Sequence, residues 1–124
     1  VFGAPISSGN NAANAVAAAK SILEELDRRN ARFADDAIQV GIGIHFGEAV
    51  TGNVGSPRRK EYTIIGDVVN LASRMEGLNK KFGSRALISE AVFREAALAE
   101  NDVTRMPLVQ VKGRQETLQP YRLL

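Results

Sequence analysis

The 124-residue sequence contains no cysteine, no tryptophan and a single histidine, His45. Without Cys there can be no disulfide, no thiolate metal site and no thiol nucleophile. One His excludes a multi-histidine metal centre, and a Ser–His nucleophile would have to rest on His45. No apolar run reaches the ~18 residues of a membrane-spanning helix, and no signal-peptide pattern opens the chain. Aromatic residues are sparse, at 6%. Only Tyr62 and Phe82 fall among the basic residues of the middle, so a stacking platform for nucleic acid has little to build on. The segment is read as contacting neither membrane nor nucleic acid.

What is present is a globular balance, 44% hydrophobic and 24% charged, which suits one domain over 1–124. The chain opens on Val1, not Met, and we expect the carboxy-terminal portion of a longer domain. The net charge of +2 is uneven: residues 58–85 hold seven Lys/Arg against three Asp/Glu, and residues 1–57 hold four against six. A basic middle suits an anionic partner such as phosphate; a solvated Lys/Arg surface would give the same counts.

Gly3 and Pro5 punctuate a strand end over residues 1–6. Ser8, Asn10 and Asn11 offer caps for a helix over about Ala12–Asn30, in which Val16, Ala19, Ile22, Leu23 and Leu26 recur at helical spacing. Ile38, Val40, Ile42, Ile44 and Phe46 alternate with Gln39, Gly41, Gly43 and His45, which reads as a strand. Gly41 and Gly43 share one face, where a helix or ligand can come close. A glycine-rich connector follows, and then a short strand over Tyr62–Ile65, expected to pair with the first as a long-looped hairpin. Asp67 caps a helix over about Val68–Lys81, with the apolar stripe Val68, Leu71, Ala72, Met75, Leu78 and Phe82, stopped by Gly83. Ala86–Ser89 reads as a buried strand, Ser89 as the cap of a helix over about Glu90–Glu100, and Val103–Lys112 with Thr117–Leu123 as a closing hairpin. Pro107 and Pro120 mark those last strands as edge or bulged. This order predicts an α+β fold, helices packed on a mixed sheet.

Asp67, Asn70 and Arg74 stand at i, i+3 and i+7, one stripe of their helix. At ~100° per residue, Asn70 and Arg74 lie about 110° from the centre of the apolar stripe. An amide and a guanidinium one turn apart make a fork for oxygen and phosphate acceptors, and Asn70 is near the helix start, where free N–H groups favour anions. The plain alternative is a capping Asp67 and a solvated Arg74. Gly41 to Gly47 reads G-x-G-x-x-x-G with no helix after it, which is no dinucleotide fingerprint. His45 has no evident Ser or Asp partner at a known spacing and reads as a sheet histidine.

The string Val40-Gly41-Ile42-Gly43-Ile44-His45-x-Gly47-Glu48-x-x-x-Gly52-Asn53-Val54-Gly55-Ser56 is followed by Arg59-x-Glu61-Tyr62-Thr63-Ile64-Ile65-Gly66-Asp67-x-Val69-Asn70-Leu71-Ala72-Ser73-Arg74-Met75-Glu76. With Val1-Phe2-Gly3-Ala4-Pro5 and Val111-Lys112-Gly113, it strongly resembles the catalytic domains of class III adenylate and guanylate cyclases. The resemblance runs nearly end to end. It implies the ferredoxin-like nucleotide cyclase fold, with a mixed, largely antiparallel sheet that here lacks its first strands. It implies a cytoplasmic enzyme that makes cyclic AMP from ATP for signalling, as a dimer with a second cyclase domain.

By that resemblance, Asn70 orients the ribose and Arg74 stabilises charge on the phosphates. Thr63 occupies the base-selecting position, where Thr is more usual in ATP-using bacterial members, and Lys112 grips the terminal phosphates. The family holds Mg²⁺ or Mn²⁺ on two Asp residues that lie upstream, on strands this chain lacks. None of its 14 acids is therefore assigned as a metal ligand, no ion is expected on this segment, and the segment alone is expected to be inactive. A homodimer, perhaps with exchanged elements, is expected from the sheet edge left open. Two readings stay beside this one: a non-catalytic cyclase-homology module that binds nucleotide or a partner and regulates, and guanylate specificity.

Overall fold

The computed structural model describes residues 2–3, 7, 9–48, 50–54, 61–65, 67–110 and 117–123. In chain order these form α1 (Asn11–Arg32), a 3₁₀ turn (Ala34–Asp36), β1 (Ile42–Ile44), β2 (Val50–Val54), β3 (Glu61–Ile65), α2 (Asp67–Phe82), β4 (Ala86–Ser89), α3 (Glu90–Glu95), a second 3₁₀ turn (Glu100–Asp102), β5 (Val103–Arg105), β6 (Val109–Gln110), β7 (Thr117–Leu118) and β8 (Pro120–Leu123). The main sheet has the order β1-β4-β8-β5. β1 runs parallel to β4, with Gly43 opposite Leu87, and β8 runs antiparallel to both β4 and β5. The sheet is thus mixed and largely antiparallel, and the fold is α+β, as expected.

Alternation along the strands assigns the helices to faces. Ile42, Ile44, Ala86, Ile88, Val103, Tyr121 and Leu123 point to one face, where they pack with Val16 and Ala19 of α1 and Val92 of α3. The Phe93 and Tyr121 rings stack there, centroids 4.6 Å apart. Gly43 points to the other face and meets the backbone of α2. β4 is buried along its whole length, because helices cover it on both sides. Among the described residues no helix is long and apolar enough to cross a membrane.

The pairing differs from the sequence expectation in three places. The run from Ile38 to Phe46 is strand only at Ile42–Ile44. The Asn30 side chain accepts from the Ile38 N–H at 2.9 Å and donates to its C=O at 2.8 Å, so α1, rather than a neighbouring strand, satisfies that backbone. β3 does not pair with β1. It pairs antiparallel with β2, in the stretch read as connector, with Thr63 opposite Gly52. The closing hairpin is split: β5 pairs with β8 and β6 with β7, in different sheets. Pro120 stands at the first residue of β8, an inner strand, where Pro is tolerated because it need not donate to the ladder. The first-strand expectation over residues 1–6 falls largely outside the described residues.

Caps are where local chemistry decides. Ser89 accepts from the Val92 N–H at 3.4 Å and starts α3. Gly83, at φ +62°, ends α2 as expected. α3 ends at Glu95, not near Glu100. Ala97 takes a left-handed φ of 52°, and Leu98 N–H bonds back to Phe93 C=O at 3.3 Å, closing the helix so that Leu98 turns into the core. An L-residue in that conformation is strained by about 1–2 kcal/mol relative to Gly. Ala97→Gly, after the entropic cost of Gly in the unfolded chain, is expected to stabilise the protein by about 0.5–1 kcal/mol, read as a higher urea midpoint. A lower midpoint would contradict this account of the turn.

Candidate functional site

α2 is amphipathic by its own spacing. Met75 is fully buried, Val68, Leu71, Ala72, Leu78 and Phe82 are half-buried, and Asp67, Asn70, Ser73 and Arg74 are exposed. Asp67 is the first helical residue, not the residue before it, so its carboxylate stands in the first turn, facing the positive end of the helix, while Lys80 and Lys81 stand in the last turn. Asn70 and Arg74 follow one and two turns on. They border an open depression of about 560 Å³ lined by Asp67, Asn70, Leu71, Ser73, Arg74, Gly77 and Leu78. Neither is engaged by another described side chain, so amide and guanidinium are free to take a ligand. The geometry suits an anionic, oxygen-rich molecule: an amide for a hydroxyl, a guanidinium for phosphate oxygens.

Close contact fixes where this face stands. A Cβ at Gly43 would lie 2.2 Å from Glu76 N, 2.6 Å from Glu76 Cα and 2.8 Å from Ala72 O, so α2 rests directly on the β1 backbone. Asn79, 5% exposed, pins the contact. Its amide donates to Ile42 C=O and Glu76 C=O, both at 3.0 Å, and its oxygen accepts from the Ser84 hydroxyl at 2.8 Å. The sequence reading did not single out Asn79. The available signal was its position four residues after Met75, on the buried stripe, where a polar residue must find partners.

His45 has a partner that spacing did not reveal: its Nδ1 lies 2.8 Å from the Ser89 hydroxyl, 44 residues away. Burial holds its pKa below the ordinary value, against an opposing pull from the Asp67 carboxylate.

The structure therefore brings Asn70 and Arg74 together. Thr63 lies on β3, the strand that precedes α2. Lys112 lies outside the described residues. Among the described residues no group of three or more His, Cys, Asp or Glu can hold a metal ion. The two Asp ligands that the resemblance implies match no position in its motif here, so none is assigned. A second concavity, about 700 Å³ and mostly apolar, runs beside β1 between α1 and α2, past Phe2, Ala15, Ile22, Ile44 and Val69. Its lining suits side chains rather than phosphate.

Residues 1–124 match the family described as the adenylate and guanylate cyclase catalytic domain. The chain is 46% identical over 88 residues to an adenylate cyclase of Anabaena cylindrica, covering 69% of this chain and 18% of that protein. Its fold matches the guanylyl cyclase Cya2 with a TM-score of 0.81 at 30% identity, covering 98% of this chain and 62% of that one. It matches the adenylyl cyclase CyaB from P. aeruginosa with a TM-score of 0.81 at 27% identity, covering 99% of this chain and 64% of that one.

Proposed function

The chain belongs to the adenylate and guanylate cyclase catalytic domain family, and on that premise we propose that it supplies the ribose- and phosphate-facing part of a site that converts ATP to 3′,5′-cyclic AMP and pyrophosphate. In that reaction the ribose 3′-oxygen bonds to the α-phosphorus, the bond to pyrophosphate breaks, and the 3′-hydroxyl proton is lost. The observation that carries the reading is the exposed pair Asn70 and Arg74, one turn apart beside a depression at the start of α2.

Asn70 holds the ribose so that the 3′-oxygen faces the α-phosphorus. Much of the available rate gain comes from that orientation. Arg74 meets the charge that grows on the phosphate oxygens as the leaving bond stretches. Thr63 reads the base and Lys112 the terminal phosphates. ATP is favoured over GTP by Thr63 and by the likeness to the Anabaena enzyme. Mg²⁺ or Mn²⁺, held in the intact domain, would supply Lewis-acid chemistry at the attacking hydroxyl and the phosphates. Its ligands come from outside these residues, so residues 1–124 by themselves are inactive. A second cyclase domain, in a homodimer, closes the depression.

The test has two arms. Titrating the isotope-labelled chain with ATP is expected to shift the Asn70 side-chain amide and the Arg74 Nε–H, with GTP weaker; ATP leaving both unmoved overturns the assignment. An assay for cyclic AMP with Mn²⁺ is expected to give no turnover from residues 1–124 alone, and turnover from a full-length domain that carries them. Turnover by the segment alone overturns the claim that the metal ligands lie elsewhere.

A further inference from the structure

His45 is outside the depression, yet it stands where the elements behind that depression meet. It is the first residue beyond β1. On one side its Nδ1 is 2.8 Å from Ser89 Oγ, which also accepts the Val92 N–H as the cap of α3. A serine hydroxyl has one proton. With one lone pair given to Val92, the hydroxyl can still donate to Nδ1 or accept from it, so the contact holds in either tautomer of the neutral ring. Burial favours the neutral ring. On the other side is the start of α2. A Cβ at Gly47 would lie 3.1 Å from Val68 Cγ2 and 3.8 Å from His45 Nε2, so the Gly47 loop adjoins both the ring and the second residue of α2. The Asp67 carboxylate acts electrostatically on the same ring.

We propose that His45 is a positioning residue for the cyclase site, a bridge from the cap of α3 through the Gly47 loop to the first turn of α2 that sets where Asn70 stands relative to Arg74. The proposal rests on the reading of the α2 face given above. Gly43 and Asn79 seat the middle and the end of α2 on β1, and the 45–47 loop meets its beginning. That seat runs from Ala72 to Asn79, so the first turn of α2 projects beyond it and can flex there. Asp67 and Asn70 belong to that turn, and Arg74 stands one turn on, within the seated part.

Two variants separate this role from simple support of the α3 cap. His45→Phe keeps a flat ring and removes both nitrogens. His45→Asn keeps an acceptor near the position of Nδ1 but falls short of α2. In the labelled 124-residue chain, His45→Phe is expected to shift the Asn70 side-chain amide and the backbone amides of residues 67–71 as well as those of 89–92. His45→Asn is expected to restore 89–92 only. In a full-length domain, kcat is expected to fall about tenfold in both variants with KM within about twofold. Shifts confined to 89–92, or full rescue by Asn, overturn the bridge. Absence of cyclic AMP from the unaltered full-length domain overturns the cyclase reading instead, and the resonance shifts still decide whether the ring positions α2.

Discussion

Replacing Arg74 with Ala is expected to lower cyclic AMP formation by about 10²–10³-fold, with nucleotide affinity changed by no more than about threefold. The side chain is exposed, and no described group depends on it, so the fold has nothing to lose. On the proposed reading, what is lost is a guanidinium beside the phosphates. The ground-state triphosphate keeps its other contacts, whereas charge that develops only as the leaving bond stretches loses its stabiliser. Arg74→Lys is expected to recover only part of the rate, because an ammonium supplies charge without the planar fork. Steady-state kinetics on a full-length domain carry the test. A loss confined to KM would make Arg74 a docking residue, and no loss at all would remove it from the site.

Gly43→Ala is expected to act on both fold and rate. The added Cβ would stand 2.2 Å from Glu76 N and 2.6 Å from Glu76 Cα. Those are backbone atoms of a helix, and they cannot turn aside as a side chain can. α2 must lift from β1, at a cost of about 1–3 kcal/mol, and the lift strains the Asn79 hydrogen bond to Ile42. Since Asn70 and Arg74 ride on α2, a displacement of about 1 Å is expected to cost on the order of 10²-fold in turnover. Gly41→Ala is the control. Its Cβ would meet the Glu76 Oε1 atom at 2.5 Å, the far end of a flexible side chain that can swing away. Urea midpoints and turnover of the two variants test this, and equal effects would show that the close approach at Gly43 does not set the position of α2.

The elements that were legible in the sequence are those decided within one or two turns of chain. The stripe of α2, its stop at Gly83 and the Ser89 cap follow from periodicity and from groups a few residues apart. So does the exposure of Asn70 and Arg74, because a helix with one buried side fixes by rotation alone which residues remain outside. The motif running from Val40 to Glu76 carried the family in the same way, as linear order. The sheet was not legible to that depth. Period two says that Ile42–Ile44 is extended, but not that its neighbour is β4, parallel and more than forty residues on, rather than β3. That choice belongs to the assembled core, in which β4 lies beside β1 and is buried along its whole length. The Asn79 pin, the His45–Ser89 contact and the seat at Gly43 are likewise products of assembly. Each joins residues distant in sequence that touch only after the helices have packed, so no local pattern encodes them, and they set the position of the α2 face whose exposed residues the sequence alone had already picked out.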